Sequence, residues 1–481
     1  MMSNPKRLHP AAMIFRVISI VRSLIFAIGA TVIVTMGNDF FNYIVLGIVG
    51  LIAFFIITSV IEWLRFRYAV VGDELRIEQG LIVRKKRYIS KNRIQSIDLT
   101  QSVIHRLFNL TKVQIETAGS DLSTDASLSA VTLEEGQALR KELKYHNGEA
   151  VESEYVDEIE QDEEEQYTKE TISTKRLVIA GSTSGSIGVI LGLFIVLFSE
   201  VERFIPTHVY DDAMSWFLTQ TISVLIVLAL IVLIFLWVLG ILGTVIKYGN
   251  FEVTRYEDEL YITRGLLEKK QVTIPLKRIQ ALGIKESIVR QPLGFATLYV
   301  EIAGGEGGQN ARTFIFPLLK RSEVKPFLEK ILPEYQSLSN EFIGVPNRAA
   351  PYYMVRASFL PVVVLVVTLI FAIDFWYVPF VFILIAMSLG WLRMKTAGYY
   401  IDREHLIFRS RDFSKDTIMM KHNRVQSIQL RQTLLHRKQQ IATVQSSILN
   451  NFAGRHAGVR ELDYEQAKRI ADWYSLQKRI F

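Results

Sequence analysis

Six apolar runs, set in three close pairs, restrict the possible folds of this chain more than any other feature. They are Val17–Met36, Phe41–Ile61, Val178–Phe198, Phe217–Ile246, Ala357–Ile373 and Val378–Leu392. A helix needs about 20 apolar residues to cross a bilayer, and only a structure that satisfies its own backbone can sit there. Each run is therefore predicted to be a membrane-spanning helix. "GNDF" separates the first pair and "DFWYV" the third, so these pairs read as tight helical hairpins. The middle pair has a longer loop, Ser199–Trp216, with Glu200, Glu202, Asp211 and Asp212 against Arg203. Half of the chain is hydrophobic (50%) and its mean hydropathy is +0.23, which suits spans combined with soluble domains rather than either alone.

The charges flanking the runs orient all three hairpins alike. Lys6, Arg7, Arg16, Arg22, Lys175, Arg176 and Arg356 precede or begin the odd-numbered runs, while Arg65, Arg67, Lys247, Arg393 and Lys395 follow the even ones. By the positive-inside rule, both termini and all large soluble segments are expected on the cytoplasmic side of the cell membrane. Arg16 and Arg22 interrupt the first apolar stretch, so it does not read as a cleavable signal peptide. Arg22 is read as snorkelling to the inner interface, with a functional intramembrane charge as the sharper alternative. There are no cysteines, which excludes disulfides and thiolate sites.

Each hairpin is followed by roughly 80 residues of soluble sequence, and these stretches are copies of one another. Leu75–Gly119 aligns with Leu260–Gly304 without a gap at an offset of 185, and the third copy follows at an offset of 331. One short phrase marks all three: "RIQSIDL" at Arg93, "RIQALGI" at Arg278 and "RVQSIQL" at Arg424. Alternating stretches such as "YAVVGDELRIEQGLI" and "NFEVTRYEDELYITRGLL" predict strands with tight turns. Leu133–Lys144, Ser322–Leu332 and Asp463–Tyr474 predict a closing helix in each copy. Antiparallel strands with one terminal helix suggest a partly closed β-barrel or roll capped by that helix.

The module resembles the bacterial pleckstrin-homology-like domain. The residues that carry the likeness run from Arg93 through "QSVIHR" to the "TAG" ending at Gly119, with Asn109 where the family has glycine. The second copy has Gly294 there but Glu286 in place of the glutamine. The third departs most, with Gln440 at the turn and "SSILNNF" at the strand end, which puts its turn geometry in question. Asn and Gly both tolerate positive φ, so a tight turn explains the first two. The fold class expected is six transmembrane helices in α-helical membrane hairpins, plus three α+β pleckstrin-homology-like domains of β-roll or barrel form. The boundaries expected are hairpins at 13–64, 176–246 and 357–392, modules at 65–147, 247–335 and 393–481, an acidic linker at 148–175 and a linker at 336–356. With its "KRLHPAA" opening, the whole arrangement is similar to YdbT-type polytopic membrane proteins of Gram-positive bacteria. That resemblance implies a role in cell-envelope stress, in some cases tolerance of membrane-active peptides, and a smaller YdbS-type single-module membrane protein as partner.

Two sets of residues are candidates for contact with lipid or a partner. In the phrase, Arg93, Gln95, Arg278, Gln280, Arg424 and Gln426 either fix the fold, with Gln bonding backbone, or offer Arg to phosphate headgroups or acids. In "VRKKRY", Arg84, Lys85, Lys86 and Arg87 cluster at a hairpin, with Lys269 and Lys270 in the matching place of the second copy and Lys415 nearest in the third. Such cations are attracted to the anionic inner leaflet, or else simply decorate a solvated tip. From Glu149 to Glu170 eleven acids and one lysine give a net charge of −10, leaving +17 on the remainder. That run reads as a solubilising linker, with folding back on a basic face and loose divalent-cation binding as alternatives; it lacks EF-hand spacing. No aromatic platform accompanies the basic clusters, so no nucleic acid partner is expected.

Catalytic signals are scarce. His105 and His436 are equivalent, but the second copy has Arg290, and no nucleophile or orienting acid recurs with them. "GGEGGQN" at Gly304–Asn310 precedes no helix and lacks Lys-Ser/Thr, so it does not read as a phosphate loop. No catalytic residue, cofactor or metal site is expected. The preferred reading is a non-enzymatic membrane scaffold in envelope protection, with oligomerisation left open. The alternative is a peptide or lipid export or flippase component, for which Pro361 and the small residues of Ala180–Gly188 are the only features that could loosen a span.

Overall fold

The computed structural model describes residues 5–35, 40–81, 83–117, 126–144, 168–185, 188, 190–192, 207–303, 312–337, 341–402, 404–448 and 455–477. Most of the acidic run, the glycine-rich stretch 304–310 and the end of the third apolar run lie outside these residues. The chain divides into two compact units: Met1–Glu252 with Leu260–Thr273, and Val253–Glu259 with Ile274–Phe481. The division runs through the second repeat.

The first unit opens with helices α1 (Ala11–Thr35) and α2 (Phe41–Arg65), then β1 (Arg67–Val71), β2 (Glu74–Gln79), β3 (Lys85–Ser90), β4 (Ile94–Gln101), the short α3 (Val103–Leu107), β5 (Leu110–Thr117), β6 (Ala126–Thr132) and α4 (Leu133–Lys144). After it come β7 (Thr168–Thr171), α5 (Thr174–Ser182), α6 (Thr207–Thr219) and α7 (Ile222–Tyr248), with β8 (Glu252–Arg255), β9 (Glu259–Arg264) and β10 (Lys269–Pro275) following; Val253–Glu259 and the end of β10 from Ile274 count with the second unit. Alternation decides which side of each strand is inside: on β2, Leu75 and Ile77 are buried while Glu74, Arg76 and Glu78 are not. Tyr68, Leu99, Leu110, Val113, Ile115 and Leu128 from both halves of the repeat, with Leu139 and Leu143 of α4, make one core. Leu8, Ala11 and Ala12 of the "KRLHPAA" opening belong to it too. Lys6 bridges Tyr68 on the outer edge of β1, with backbone N–H to O distances of 2.8 and 3.0 Å.

The second unit contains β11 (Ile279–Glu286), β12 (Phe295–Ile302), β13 (Arg312–Lys320), α8 (Arg321–Ile331), β14 (Ile343–Gly344), α9 (Ala350–Phe371), α10 (Tyr377–Thr396), β15 (Gly398–Ile401), β16 (His405–Arg411), β17 (Lys415–Lys421), β18 (Val425–Arg431), α11 (Leu434–Lys438), β19 (Ile441–Ile448), β20 (Arg455–Asp463) and α12 (Tyr464–Gln477). The three closing helices, α4, α8 and α12, stand within a few residues of the predicted ranges.

The antiparallel sheets are consistent with the expected module, and each copy divides its strands between two of them. In the first repeat β1-β2-β3 form one sheet, while β4, β5 and β6 belong to another; in the third, β15-β16-β17 and β18-β19-β20 are likewise separate. In these two copies the halves share a core, and among the described residues no ladder joins the two sheets. The edge that would close a barrel is used instead to join repeats: β4 pairs antiparallel with β10, and β11 with β17.

The turn before each β5-type strand is kept in all three copies, including the third. Asn109, Gly294 and Gln440 have φ of 52°, 67° and 49°. In each, the carbonyl of that residue accepts the N–H at the start of the closing helix, from Leu133, Arg321 and Tyr464, at 3.0, 2.8 and 3.0 Å. A glutamine held left-handed costs roughly 1–2 kcal/mol. Gln440→Gly is expected to raise the unfolding free energy of the second unit by about 1 kcal/mol; an unchanged or lower denaturation midpoint would show that the side chain contributes there.

Among the described residues four helices are long and apolar enough to cross a membrane: Phe41–Arg65, Ile222–Tyr248, Asn347–Phe371 and Ile373–Thr396. The first apolar run is helical as α1, and the third is helical from Thr174 to Ser182 before leaving the described residues beyond Gly192, so four spans rather than six are shown. The fourth run divides: α6 ends at Thr219 and the apolar helix α7 begins at Ile222. Pro361 does not break α9, which continues through it. Small residues serve packing: a Cβ on Gly181 would stand 2.8 Å from the Ile241 Cα on α7, and one on Gly390 2.7 Å from the Tyr353 carbonyl on α9. Arg16 on α1 forms an ion pair with Glu62 on α2, and Arg22 is exposed.

Candidate functional site

The repeated phrase builds a backbone feature. In each copy its arginine ends a single 3₁₀ turn (Lys91–Arg93, Leu276–Arg278, His422–Arg424), and the strand that follows begins with a register shift. The shifts fall between Ile94 and Ser96, Ile279 and Ala281, and Val425 and Ser427. Gln95, Gln280 and Gln426 are thus the extra residue of a β-bulge, which bends the strand and re-aims it. Arg278 donates from Nε and Nη2 to the Ala303 carbonyl at 3.0 and 2.7 Å, and Ala303 N–H donates back to Arg278 O at 3.0 Å. Gln280 is buried and donates to the Arg278 carbonyl at 3.2 Å. Arg93 is exposed and Arg424 half-buried, while the Gln426 carbonyl accepts the Tyr474 hydroxyl at 2.5 Å. The Gln95 side chain lies outside the described residues.

The basic hairpin residues separate by repeat. Arg84, Lys85, Lys86 and Arg87 are all exposed, Lys86 lying 3.1 Å from Glu78. Lys269 and Lys270 are half-buried opposite Gln101 and Thr100. Lys415 is buried, 2.8 Å from Glu286, itself buried on β11. Burial pulls the Lys415 ammonium below its ordinary range, and the hydrogen bond to Glu286 opposes that. Glu286 replaces the glutamine that in the other copies donates to a strand carbonyl, Gln101 to Leu110 O and Gln432 to Ile441 O, each at 2.9 Å. The second copy thus departs from the family pattern where its side chain meets Lys415.

Sequence reasoning missed the site with the most concentrated charge. A cavity of about 530 Å³ lies in the second unit beside the ends of α9 and α10, lined by six cations, Lys285, Arg312, Arg356, Arg393, Arg411 and Arg460, and by Asp412 and Asp416. Two further carboxylates are buried behind them: Glu301 holds Arg312 at 3.0 Å, and Glu461 pairs with Arg356. Positive charge remains in excess. Arg312, Arg356 and Arg393 stand 5.1, 5.6 and 5.6 Å from the rings of Tyr299, Tyr353 and Phe413, contacts that favour the cations and add no negative charge. Arg393 donates to the Asp412 carbonyl at 2.9 Å, and Tyr353 donates to the Arg460 carbonyl at 2.9 Å. Burial lowers the Arg411 pKa, yet its guanidinium is held by Gln291 Oε1 at 2.5 Å. Arg356 and Arg393 were legible only as flanks of spans; the other four come from strands that the register brings together.

This volume falls in the range of small-molecule sites. Forked guanidinium donors around it suit a phosphate-bearing group. No group of three or more metal-ligating side chains occurs among the described residues.

Both equivalent histidines, His105 and His436, are buried. His105 is buried, stacked on Phe15 with centroids 3.9 Å apart, with Nδ1 2.6 Å from Ser102 Oγ and Nε2 2.9 Å from the Ser129 carbonyl. Burial lowers its pKa, the Ser129 hydrogen bond opposing. Its contribution is fully present above the ordinary histidine value of about 6.5 and is lost as pH falls through the lower folded value. Thermal stability of the first unit is expected to drop between pH 7 and pH 5, and a His105→Gln variant to show a smaller drop; equal slopes would contradict this.

The sequence matches the family described as Bacterial PH domain three times, over residues 23–147, 203–335 and 355–478. It is 33% identical, over 493 aligned positions covering 99% of both chains, to the UPF0699 transmembrane protein YdbT of Bacillus subtilis (strain 168). Three repeats of a two-sheet module interspersed with apolar helices, carrying these matches along the whole chain, make it a member of the bacterial PH domain family, a YdbT-like UPF0699 transmembrane protein with three such domains.

Proposed function

We propose that this protein is a non-enzymatic membrane scaffold whose basic cavity beside the third hairpin takes the headgroup of an anionic lipid. The observation that carries the reading is the excess of cations lining that cavity at the ends of two apolar helices. Arg356 and Arg393, with Lys395, flank those helices, and their bias supports a cytoplasmic location for the domains and both termini. Lipid engagement at this point holds the third domain at the headgroup layer, where weak contacts to other proteins gain from high local concentration. Envelope protection, including tolerance of membrane-active peptides and work with a smaller related membrane protein, is the role this arrangement serves.

Survival of a deletion strain against a panel of membrane-active peptides tests the role. Restored wild-type protein is expected to recover tolerance, and an Arg393→Gln/Arg460→Gln variant of equal membrane abundance is expected to fail. Full rescue by that variant would remove the cavity from the function, and no phenotype on deletion would remove the protective role.

A further inference from the structure

The joints between repeats follow one rule. At the first, Gln101, Thr100 and Leu99 of β4 face Lys269, Lys270 and Gln271 of β10. At the second, Glu286, Lys285 and Ile284 of β11 face Lys415, Asp416 and Thr417 of β17. With the repeat offsets of 185 and 331 these are the same register, residue for residue. A β4-type strand of one copy always docks on the β3-type strand of the next. The rule leaves β3 itself as the outer strand of a three-stranded sheet, paired only with β2 among the described residues. β18 is the corresponding outer strand of the third copy.

Unpaired edges template the addition of a strand, and a row of cations is one way to control what adds. The charge at each internal joint is matched: Lys415 faces Glu286, Lys285 faces Asp416, and Lys269 and Lys270 face neutral residues. A second copy of this chain offering β18 in the same register would set Arg431 opposite Lys85, Gln432 opposite Arg84 and Gln429 opposite Arg87. Like charges directly opposite destabilise a pair, and no carboxylate on β18 offsets them. We propose that the β3 edge is a docking site for an extended acidic strand of a different protein, which adds antiparallel in the register of the internal joints and places carboxylates opposite Lys85 and Arg87. The chain's own β4, with Asp98 in the position that faces Arg87, shows the kind of strand that fits.

The absence of cysteine allows a background-free trap. The probe is a peptide of the sequence Ile94–Gln101 carrying Leu99→Cys and Thr100→Glu, offered to full-length Lys86→Cys protein in neutral-lipid nanodiscs, with copper phenanthroline as the oxidant in every trapping reaction. The register pairs these two cysteines, and Lys86 is exposed, so the fold tolerates the change. Mixed disulfide is expected to form at least about tenfold faster than with Val83→Cys protein, and about tenfold faster than with a peptide carrying Asp98→Lys and Thr100→Lys, a difference of roughly 1.4 kcal/mol. Equal trapping at both protein positions, or indifference to peptide charge, overturns the proposal. So does a disulfide between copies when Lys86→Cys and Leu430→Cys proteins are mixed, which would make a second copy the occupant. Protection of Lys86→Cys from maleimide by phosphatidylglycerol nanodiscs without peptide, unrelieved by adding it, would assign the edge to lipid instead.

Discussion

Lys415→Met is expected to destabilise the β11–β17 joint by about 3 kcal/mol, because it leaves the Glu286 carboxylate buried with its nearest partner gone. Arg321, 3.6 Å away and largely exposed, compensates only in part, which sets the figure at the low end of the range for broken buried pairs. Removing both charges should behave differently. A Lys415→Met/Glu286→Leu protein is expected to recover most of the loss, since two apolar groups need no mutual neutralisation. Hydrogen exchange over Ile279–Glu286 and Lys415–Lys421 reads the effect locally: protection should fall by roughly a hundredfold in the single variant and return in the double. Unchanged exchange in the single variant would mean that the pair does not hold the joint.

The second large effect is expected at Gly283. A Cβ there would stand 2.0 Å from Cζ of Tyr299, whose ring lies over this glycine from the adjacent strand. Tyr299 is buried, and its hydroxyl donates to the Asp416 carboxylate at 2.8 and 2.9 Å. Gly283→Val must therefore expel the ring, losing its burial and its hydrogen bond to β17 together, at a cost of about 3–5 kcal/mol. The same ring accounts for both losses, so Gly283→Val and Tyr299→Ala should be strongly non-additive, their combination costing little more than either alone. Simple additivity of the two would contradict this.

Much of the fold was legible because each cue was local or repeated. Apolar length indicated the helices, the offsets of 185 and 331 indicated the modules, and alternation and turn residues indicated the strands. Gln440 illustrates the limit. Its side chain argued against a left-handed turn, but the turn is fixed by the carbonyl that receives Tyr464 N–H, and tertiary context prevails. The joints between repeats were not legible, since nothing in a strand's own pattern says whether its edge closes a barrel or meets the next repeat. Glu286 carried the clue, as the one break in the glutamine position, but its partner Lys415 lies 129 residues away. The basic cavity was hidden for the same reason: Lys285, Arg312, Arg411 and Arg460 sit on four different strands and converge only through pairing. By contrast, the cluster Arg84–Arg87 was conspicuous because its charges are adjacent in sequence.

A lipid titration tests most directly whether the cavity beside the third hairpin recognises an anionic headgroup. Full-length protein in neutral detergent would be titrated with short-chain phosphatidylglycerol and phosphatidylcholine by calorimetry, alongside the Arg393→Gln/Arg460→Gln variant. Each cation near a lipid surface is worth about 1 kcal/mol, so removing two predicts roughly 30-fold weaker phosphatidylglycerol binding with no comparable change for phosphatidylcholine. Equal affinity of wild type and variant for phosphatidylglycerol, or of wild type for the two lipids, would contradict the account.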